Sequence, residues 1–318
     1  MRGRLVTDMH RPHRRARSSD SFRSPMIATA LLVSALTITG CPSSPPPISF
    51  ASPREATEAF GRVEDNLNAI AGALFCKATL SVRFRDEGGT VRRFIAHPGV
   101  LVFEQPRCMI LEIRSALGPV LGRVGSNDEY YWFWVDTPDL RKLWFGQWGL
   151  LTPSSRARFA IPPNELLDAL FLRPLEEFAR SGLQPLLERV GPQRWLLFQR
   201  LDARGRPYVR RAARLDSKPP HLPIEIIDYS VDGVVRMRSR LGAYKPIASD
   251  VAALIPHKYV IEWPASDAEF RMDLSSVGYR DSDLPFCDFP EDWSGERESL
   301  DAAPAFSIPR PASEKASL

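Results

Sequence analysis

The 318-residue sequence predicts a mainly β fold of the α+β class, built on an antiparallel sheet with one apolar face and one wet face. Three observations lead there. Ala78, Leu80, Val82 and Phe84 alternate with Lys77, Thr79, Ser81, Arg83 and Arg85, the period of two that a half-buried strand shows. Turn sequences, Asp86-Glu87-Gly88-Gly89, Ala203-Arg204-Gly205-Arg206 and Asp232-Gly233, stand between such runs. The 29 prolines are too many for a mostly helical chain.

The chain opens on a targeting signal, residues 1–40. Seven arginines stand there against Asp8 and Asp20, and a 13-residue apolar run, Met26 to Ile38, follows them. That run is shorter than the roughly 20 residues a bilayer span needs. It ends in Ile38-Thr39-Gly40-Cys41, which resembles the bacterial lipobox: an aliphatic residue, a small one, Gly, then the Cys whose thiolate accepts a diacylglycerol. Cys41 is therefore the expected lipidation site. The other readings are an ordinary secretory signal with a chance Cys, or a start at Met26, which would leave the apolar run without basic residues before it. Pro42 replaces the Asp that retains such proteins in the inner membrane, so by this resemblance the anchor lies in the outer membrane and the domain faces the periplasm. With the signal set aside, the chain's net charge of +4 falls to −1, and the basic footprint of a nucleic-acid binder is missing.

Residues 41–51 carry the lipidated Cys and a proline-stiffened tether. The folded domain is expected over 52–281. Ser52-Pro53-Arg54-Glu55 is a capping box with Pro at the first helical position. Ala56, Phe60, Val63, Leu67, Ile70, Ala71 and Leu74 then recur at helical steps, an amphipathic helix suited to the sheet's apolar face. A first hairpin runs from Cys76 to about Glu104, and strands follow at 107–114, 119–125, 129–135 and 141–148. The last two hold Tyr130, Tyr131, Trp132, Phe133 and Trp134, then Trp144, Phe145 and Trp148, so they are apolar on both faces. They read as aromatic core packing or as the wall of an apolar cavity. Pro162-Pro163-Asn164-Glu165 opens a second helix that repeats Leu166, Leu167, Leu170 and Phe171. Strands at 194–202, 207–215, 222–231 and 234–244, with a further pair at 257–263 and 268–274, complete the domain. From Ser282 the chain is rich in Pro, Ser, Glu and Asp, and 282–318 is expected as a disordered tail.

Cys76, Cys108 and Cys287 remain, and an oxidising compartment permits a disulfide. Alternation points Cys76 with Leu80 and Cys108 with Glu112, against that pairing. Cys108 with Cys287, and reduced thiols, both stay open. Catalysis has no candidate grouping, so the chain is not read as an enzyme. His97, His221 and His257 have no carboxylate or Cys at ligand spacing, and there is no nucleophile elbow, phosphate-cradling loop or Cys-x-x-Cys. No metal and no cofactor are expected. Glu176-Glu177 reads as a solvated helix face. Arg210, Arg211, Arg214, Arg236, Arg238 and Arg240 make the late strands basic on one face, either a soluble outer surface or a contact for lipid phosphates.

In order, the lipobox, the helix, the meander with a Leu-Gly loop, the Pro-Pro-Asn-headed helix and the closing strands resemble LolB-like outer-membrane lipoproteins of the LolA/LolB superfamily. The resemblance covers about 54–245. It is carried by Ala78–Phe84, Arg92–Phe103 and Met109–Ile113, and by Ser115-Ala116-Leu117-Gly118 where the family has Asn/Gly-Pro-Leu-Gly. Phe159 to Leu166 at the helix start, and Leu222-Pro223-Ile224-Glu225-Ile226 with Gly233–Arg240, match the rest. Ala116 departs from the family Pro, and nothing past about 245 has a counterpart. The resemblance implies a single unclosed antiparallel β-barrel, an N-terminal amphipathic helix, a helical lid and an apolar cavity for acyl chains. It also implies that Leu117, on a loop ended by Gly118, enters the membrane interface, where burying a Leu gains about 1.5–3 kcal/mol. Strand parity and the aromatic run place Leu80, Val82, Phe84, Leu111, Ile113, Trp132 and Trp134 in the cavity wall, with Leu166 and Phe171 in the lid. Expected partners are an acylated lipid or lipoprotein cargo, the membrane through Cys41, and a periplasmic carrier protein, with no nucleic acid and a monomeric chain. The alternative is a non-catalytic structural or assembly lipoprotein of the envelope that binds a protein partner.

Overall fold

The computed structural model describes residues 47–85, 89–151, 161, 163–173, 175, 183–247, 250–280 and 286–301, all within the unit Pro46–Leu318. The signal 1–40, Cys41 and Glu176-Glu177 lie outside the described residues, as do 302–318.

Helix α1 (Pro53–Asn68) starts as its capping box predicts. The Glu55 N–H donates to Ser52 Oγ at 3.3 Å, and the Ser52 N–H donates to Glu55 Oε2 at 3.0 Å. Its buried face is Ala56, Ala59, Val63 and Leu67, one residue every three or four. Helix α2 (Pro163–Leu170) is two turns long. No helix among the described residues is long and apolar enough to cross a membrane.

The strands are β1 (Ile48–Phe50), β2 (Leu74–Arg85), β3 (Val91–Glu104), β4 (Cys108–Arg114), β5 (Val120–Ser126) and β6 (Tyr130–Thr137). They continue with β7 (Leu140–Gln147), β8 (Leu186–Val190), β9 (Gln193–Leu201), β10 (Pro207–Leu215), β11 (Pro223–Tyr229) and β12 (Val235–Gly242). The last are β13 (Lys245–Ile247), β14 (Asp250–Ile255), β15 (Lys258–Trp263), β16 (Ala268–Tyr279) and β17 (Glu296–Ser299). Fifteen of them form one sheet in the order β1-β8-β9-β10-β11-β12-β15-β16-β2-β3-β4-β5-β6-β7-β17, and β13 and β14 pair separately. The pairings are antiparallel except β17 beside β7, which is parallel. With β1 and β17 at opposite edges, the sheet is one large unclosed surface. Its inner face packs on α1 and α2 around Leu80, Leu101, Leu111, Leu167, Ile226 and Phe270.

Three expectations are corrected here. The tether assigned to 41–51 is a paired strand at its end, since Ile48, Ser49 and Phe50 stand opposite Val190, Arg189 and Glu188. Strand β8 and the β13–β14 hairpin were not anticipated, because runs this short carry too little periodicity to stand out. The domain also does not end at 281. Residues 286–301 form an ordered strap across the outer face, tied by a Cys108–Cys287 disulfide with Cα atoms 5.6 Å apart. The polar composition that predicted disorder hides three well-spaced aromatics, Phe286, Phe289 and Trp293, and they supply the burial that composition averages away.

Candidate functional site: the inner face, its rim and a polar cleft

Most of the residues expected to wall a cavity gather on one side of the sheet, where they pack in a core and line neither of the clefts described below. Leu80, Val82 and Leu111 are buried in the main core, with Leu166 and Phe171 from the α2 segment packed over them. Phe84 and Ile113 are half-buried at its margin. Trp132 and Trp134 are not in this group. In register, Trp132 faces Gly125, which faces Ile110, which faces Val102. That row belongs to the outer face. Leu111 shares its row with Leu101 and Val124 on the inner one. Gly125 was the available signal: a Cβ there would sit 2.2 Å from the Trp132 ring, so only glycine leaves room for the indole on that side.

The outer cluster is closed by the strap. The Phe289 ring lies 5.2 Å from Tyr130, 5.7 Å from Trp132 and 5.3 Å from Phe145, and Trp293 lies 5.2 Å from Trp134. Lys142 Nζ bridges Glu296 and Glu298 at 2.7 Å each, and the Leu300 N–H donates to Phe145 O at 2.8 Å. Aromatic contact, charge, backbone pairing and a disulfide all hold the same segment.

The cover on the inner face is held by apolar packing and polar contacts, with no disulfide among the described residues. Gln105 Nε2 donates to Leu67 O at 2.9 Å and to Leu172 O at 3.1 Å, joining the ends of both helical segments, and Ser239 Oγ donates to Ala169 O at 2.8 Å. Charge does the rest. Arg211 of β10 forms a bidentate pair with Asp228 at 2.6 and 2.9 Å and stands 3.4 Å from Asp168 of α2. Asp168 also pairs with Arg173, and Glu165 with Arg236. Burial opposes ionisation of Asp168, but the guanidiniums of Arg173, Arg211 and Arg210 outweigh it and hold the carboxyl below its ordinary pKa.

Two polar groups inside the apolar face have nothing to bond. Tyr259 and Trp263 are 1% and 2% exposed on the inward side of β15, and neither the Tyr259 hydroxyl nor Trp263 Nε1 has a hydrogen-bond partner. Burial, with Cys76 and Tyr244 nearby, pushes the Tyr259 phenol well above its usual pKa, so it remains a donor. Burial likewise pushes the Cys76 thiol up to about 12, which leaves it protonated and inert. Sequence reasoning passed over Tyr259 and Trp263 because each simply continues an apolar alternation. Their missing acceptors are a property of the packed interior.

At the rim, Leu117 is 95% exposed on the β4–β5 loop. The Ser115 N–H donates to Pro119 O at 2.8 Å and the Gly118 N–H to Ser115 O at 3.0 Å, so the loop is tight. Gly118 adopts φ 109°, which a side chain would resist. Leu117 is thus held out in solvent at a defined place, with no core contact to explain it.

The late arginines do not form one basic face. Arg214 and Arg238 pair with Glu225 at 2.9 and 3.5 Å, and Arg240 pairs with Glu262 at 3.3 Å, on the outer surface. A register shift between Val209 and Arg211 turns Arg210 and Arg211 toward α2 instead, and Arg236 reaches Glu165 there. Arg210 and Arg236 line a polar cleft of about 590 Å³ together with Asn164, Asp168, Arg200 and Tyr208. A second cleft, of about 430 Å³, lies between Trp195, Tyr208, Tyr229 and Val231. Among the described residues no three His, Cys, Asp or Glu side chains gather as metal ligands would.

No protein-family model matches the sequence, and no curated protein matches it. Among solved structures, the chain is similar to a LolA superfamily protein from Nitrosomonas europaea, at 14% identity over 71% of this chain and 94% of that one, with a TM-score of 0.43. It is also similar to a DUF1329 family protein from Desulfovibrio piger, at 14% identity over 72% of this chain and 94% of that one, with a TM-score of 0.47. The chain is mainly β, with one large unclosed sheet and, among the described residues, two α-helices packed on its inner face.

Proposed function

We propose that this is a lipid-anchored envelope protein that takes up acyl chains of a lipid or lipoprotein on the inner face of its sheet. Cys41 is the anchor, the outer membrane its site, the periplasm the space the domain faces, and Leu117 the side chain that touches a membrane during transfer. A periplasmic carrier delivers the cargo. The uptake step replaces contacts now made by α1 and α2. An eight-residue helix such as α2 is not stable on its own and depends wholly on what it packs against.

The observation that carries this reading is the pair of orphaned donors, Tyr259 O–H and Trp263 Nε1–H. A buried donor without an acceptor costs about 1–3 kcal/mol. Acyl chains arrive with ester or amide carbonyls, acceptors that an aliphatic core lacks. A cargo lying along β15 would satisfy both groups while its chains replace helix side chains.

The test is native mass spectrometry on the mature chain carrying Cys41→Ala, purified from its own envelope and also titrated with a diacylglycerol probe. An adduct of acyl-lipid mass is expected, with about tenfold weaker retention in the Tyr259→Phe/Trp263→Phe protein. A clean apo mass and no uptake of the probe would refute acyl binding. It would favour the structural alternative, in which the packed inner face is simply a core.

A further inference from the structure

We propose that the polar cleft beside α2 binds a phosphate ester that carries a free hydroxyl, the chemistry of a glycerol phosphate head group. The inference stands whether or not acyl chains occupy the inner face.

Five arginines line this cleft, with Asp168 as its acidic wall. The carboxylates around it are already engaged: Asp228 with Arg211 and Arg210, Asp168 with Arg173 and Arg211, Glu165 with Arg236. Arg200 has no carboxylate within ion-pair reach among the described residues, and its guanidinium is a free charge at the edge of the cleft. Arg210 is only 12% exposed, so part of the positive wall is shielded from water, where charge-assisted hydrogen bonds to an oxyanion are strongest. The Tyr208 phenol adds a neutral donor to the same wall.

A second observation points to the ligand from the other side. Asn164 also lines the cleft, and its Oδ1 is buried with no hydrogen-bond partner. A carboxamide oxygen accepts and does not donate, so a bare oxyanion cannot satisfy it. A hydroxyl next to the phosphate can. Arg200, Arg210 and Tyr208 would hold the phosphate oxygens while Asn164 accepts from the neighbouring O–H, and the planar guanidinium fork suits a phosphate better than an ammonium would. Two sources offer this chemistry: a glycerophospholipid head group and a small soluble polyol phosphate.

The experiment is calorimetric titration of the mature Cys41→Ala chain with sulfate, an oxyanion that carries no O–H at neutral pH, and with glycerol 1-phosphate. Flotation with phosphatidylglycerol vesicles and with phosphatidylcholine vesicles runs beside it. Glycerol 1-phosphate is expected to bind at least fivefold tighter than sulfate. Arg200→Glu should weaken both about tenfold or more, and Arg93→Glu, a charge reversal outside the cleft, should change neither. Asn164→Leu should abolish the preference for the glycerol ester and leave sulfate binding as it was. Thermal unfolding of each variant checks that it folds. Arg200-dependent flotation with phosphatidylglycerol alone would assign the lipid source, and binding of glycerol 1-phosphate without flotation would assign the soluble one. If the wild-type chain binds neither anion, or if Arg200→Glu binds as tightly as wild type, the proposal is wrong.

Discussion

One sheet carries two apolar layers, and they are covered by different means. The inner face lies under α1 and α2, held by apolar packing in the main core, by hydrogen bonds and by the Asp168 and Glu165 ion pairs. The outer face over β3 to β7 lies under an extended strap fixed by a disulfide, by edge-on and tilted aromatic contacts and by parallel pairing of β17. Each layer holds buried donors without a partner, the Tyr259 hydroxyl and Trp263 Nε1 in the inner one and Trp132 Nε1 in the outer one, so the layers differ in their ties and not in their unsatisfied groups. A cover that must come off cannot be cross-linked, because the bond would hold whatever the cargo offered in exchange. A cover that only stabilises gains from every tie. On the proposed function, the inner face is the one that exchanges its cover and the outer one stays closed.

That contrast can be broken most forcefully at the disulfide. It closes a loop across 179 residues, and in the chain-entropy account its loss through Cys287→Ser costs as much as about 5 kcal/mol. Urea unfolding should show the lower midpoint, and tryptophan emission should shift red as Trp132, Trp134 and Trp293 meet water. An unchanged midpoint would mean that the aromatics alone hold the strap.

The polar lock on α2 comes next. Asp168→Asn should cost about 3 kcal/mol, since it leaves Arg211 and Arg173 buried with one fewer counter-charge. The same carboxylate gives a pH dependence. Its folded pKa lies below its unfolded value of about 3.9, so its stabilisation is full above that value and is lost as pH falls through the folded one. Acid titration of wild type against Asp168→Asn should show a steeper loss in wild type. Parallel acid limbs would remove Asp168 from the lock.

A smaller effect of opposite sign is expected inside the inner face. Tyr259→Phe removes an unsatisfied hydroxyl and should leave stability unchanged or raise it by about 1 kcal/mol, while weakening retention of an acyl probe. A clear loss of stability, read from the urea midpoint, would show that the hydroxyl has a structural partner after all. Leu117→Glu should change stability least, within about 0.5 kcal/mol, because the side chain touches no core. Its effect is expected in transfer of acylated cargo to vesicles, and unaltered transfer would take Leu117 out of the proposed function.

How far the sequence could be read depended on how local each signal was. The capping box at Ser52 and Glu55 and the β2–β3 alternation involve neighbours three or two residues apart, and both are present as expected. The side of the sheet that Trp132 and Trp134 occupy was misjudged, because on an aromatic run parity inside one strand says nothing about which face is inner. Only pairing across β5 and β4 fixes that, through Gly125 and Ile110. The late arginines were misjudged for a related reason. A shift of register between Val209 and Arg211 sends adjacent residues to the same side, and simple alternation cannot foresee it.

By itself the sequence determined the mainly β character, the helix that opens the domain, the hairpin turns and the bare leucine on its glycine-ended loop. These follow from propensity, capping and periodicity, all of which act over a few residues. Tertiary structure alone decided that a polar tail would become a clamp and that Tyr259 and Trp263 would face a core without acceptors. It also decided that Arg200 and Asn164 would meet at one cleft. Each of these is a relation between residues tens to hundreds of positions apart. Such a relation has no free energy until the chain has paid the entropy of bringing them together, so no local pattern records it.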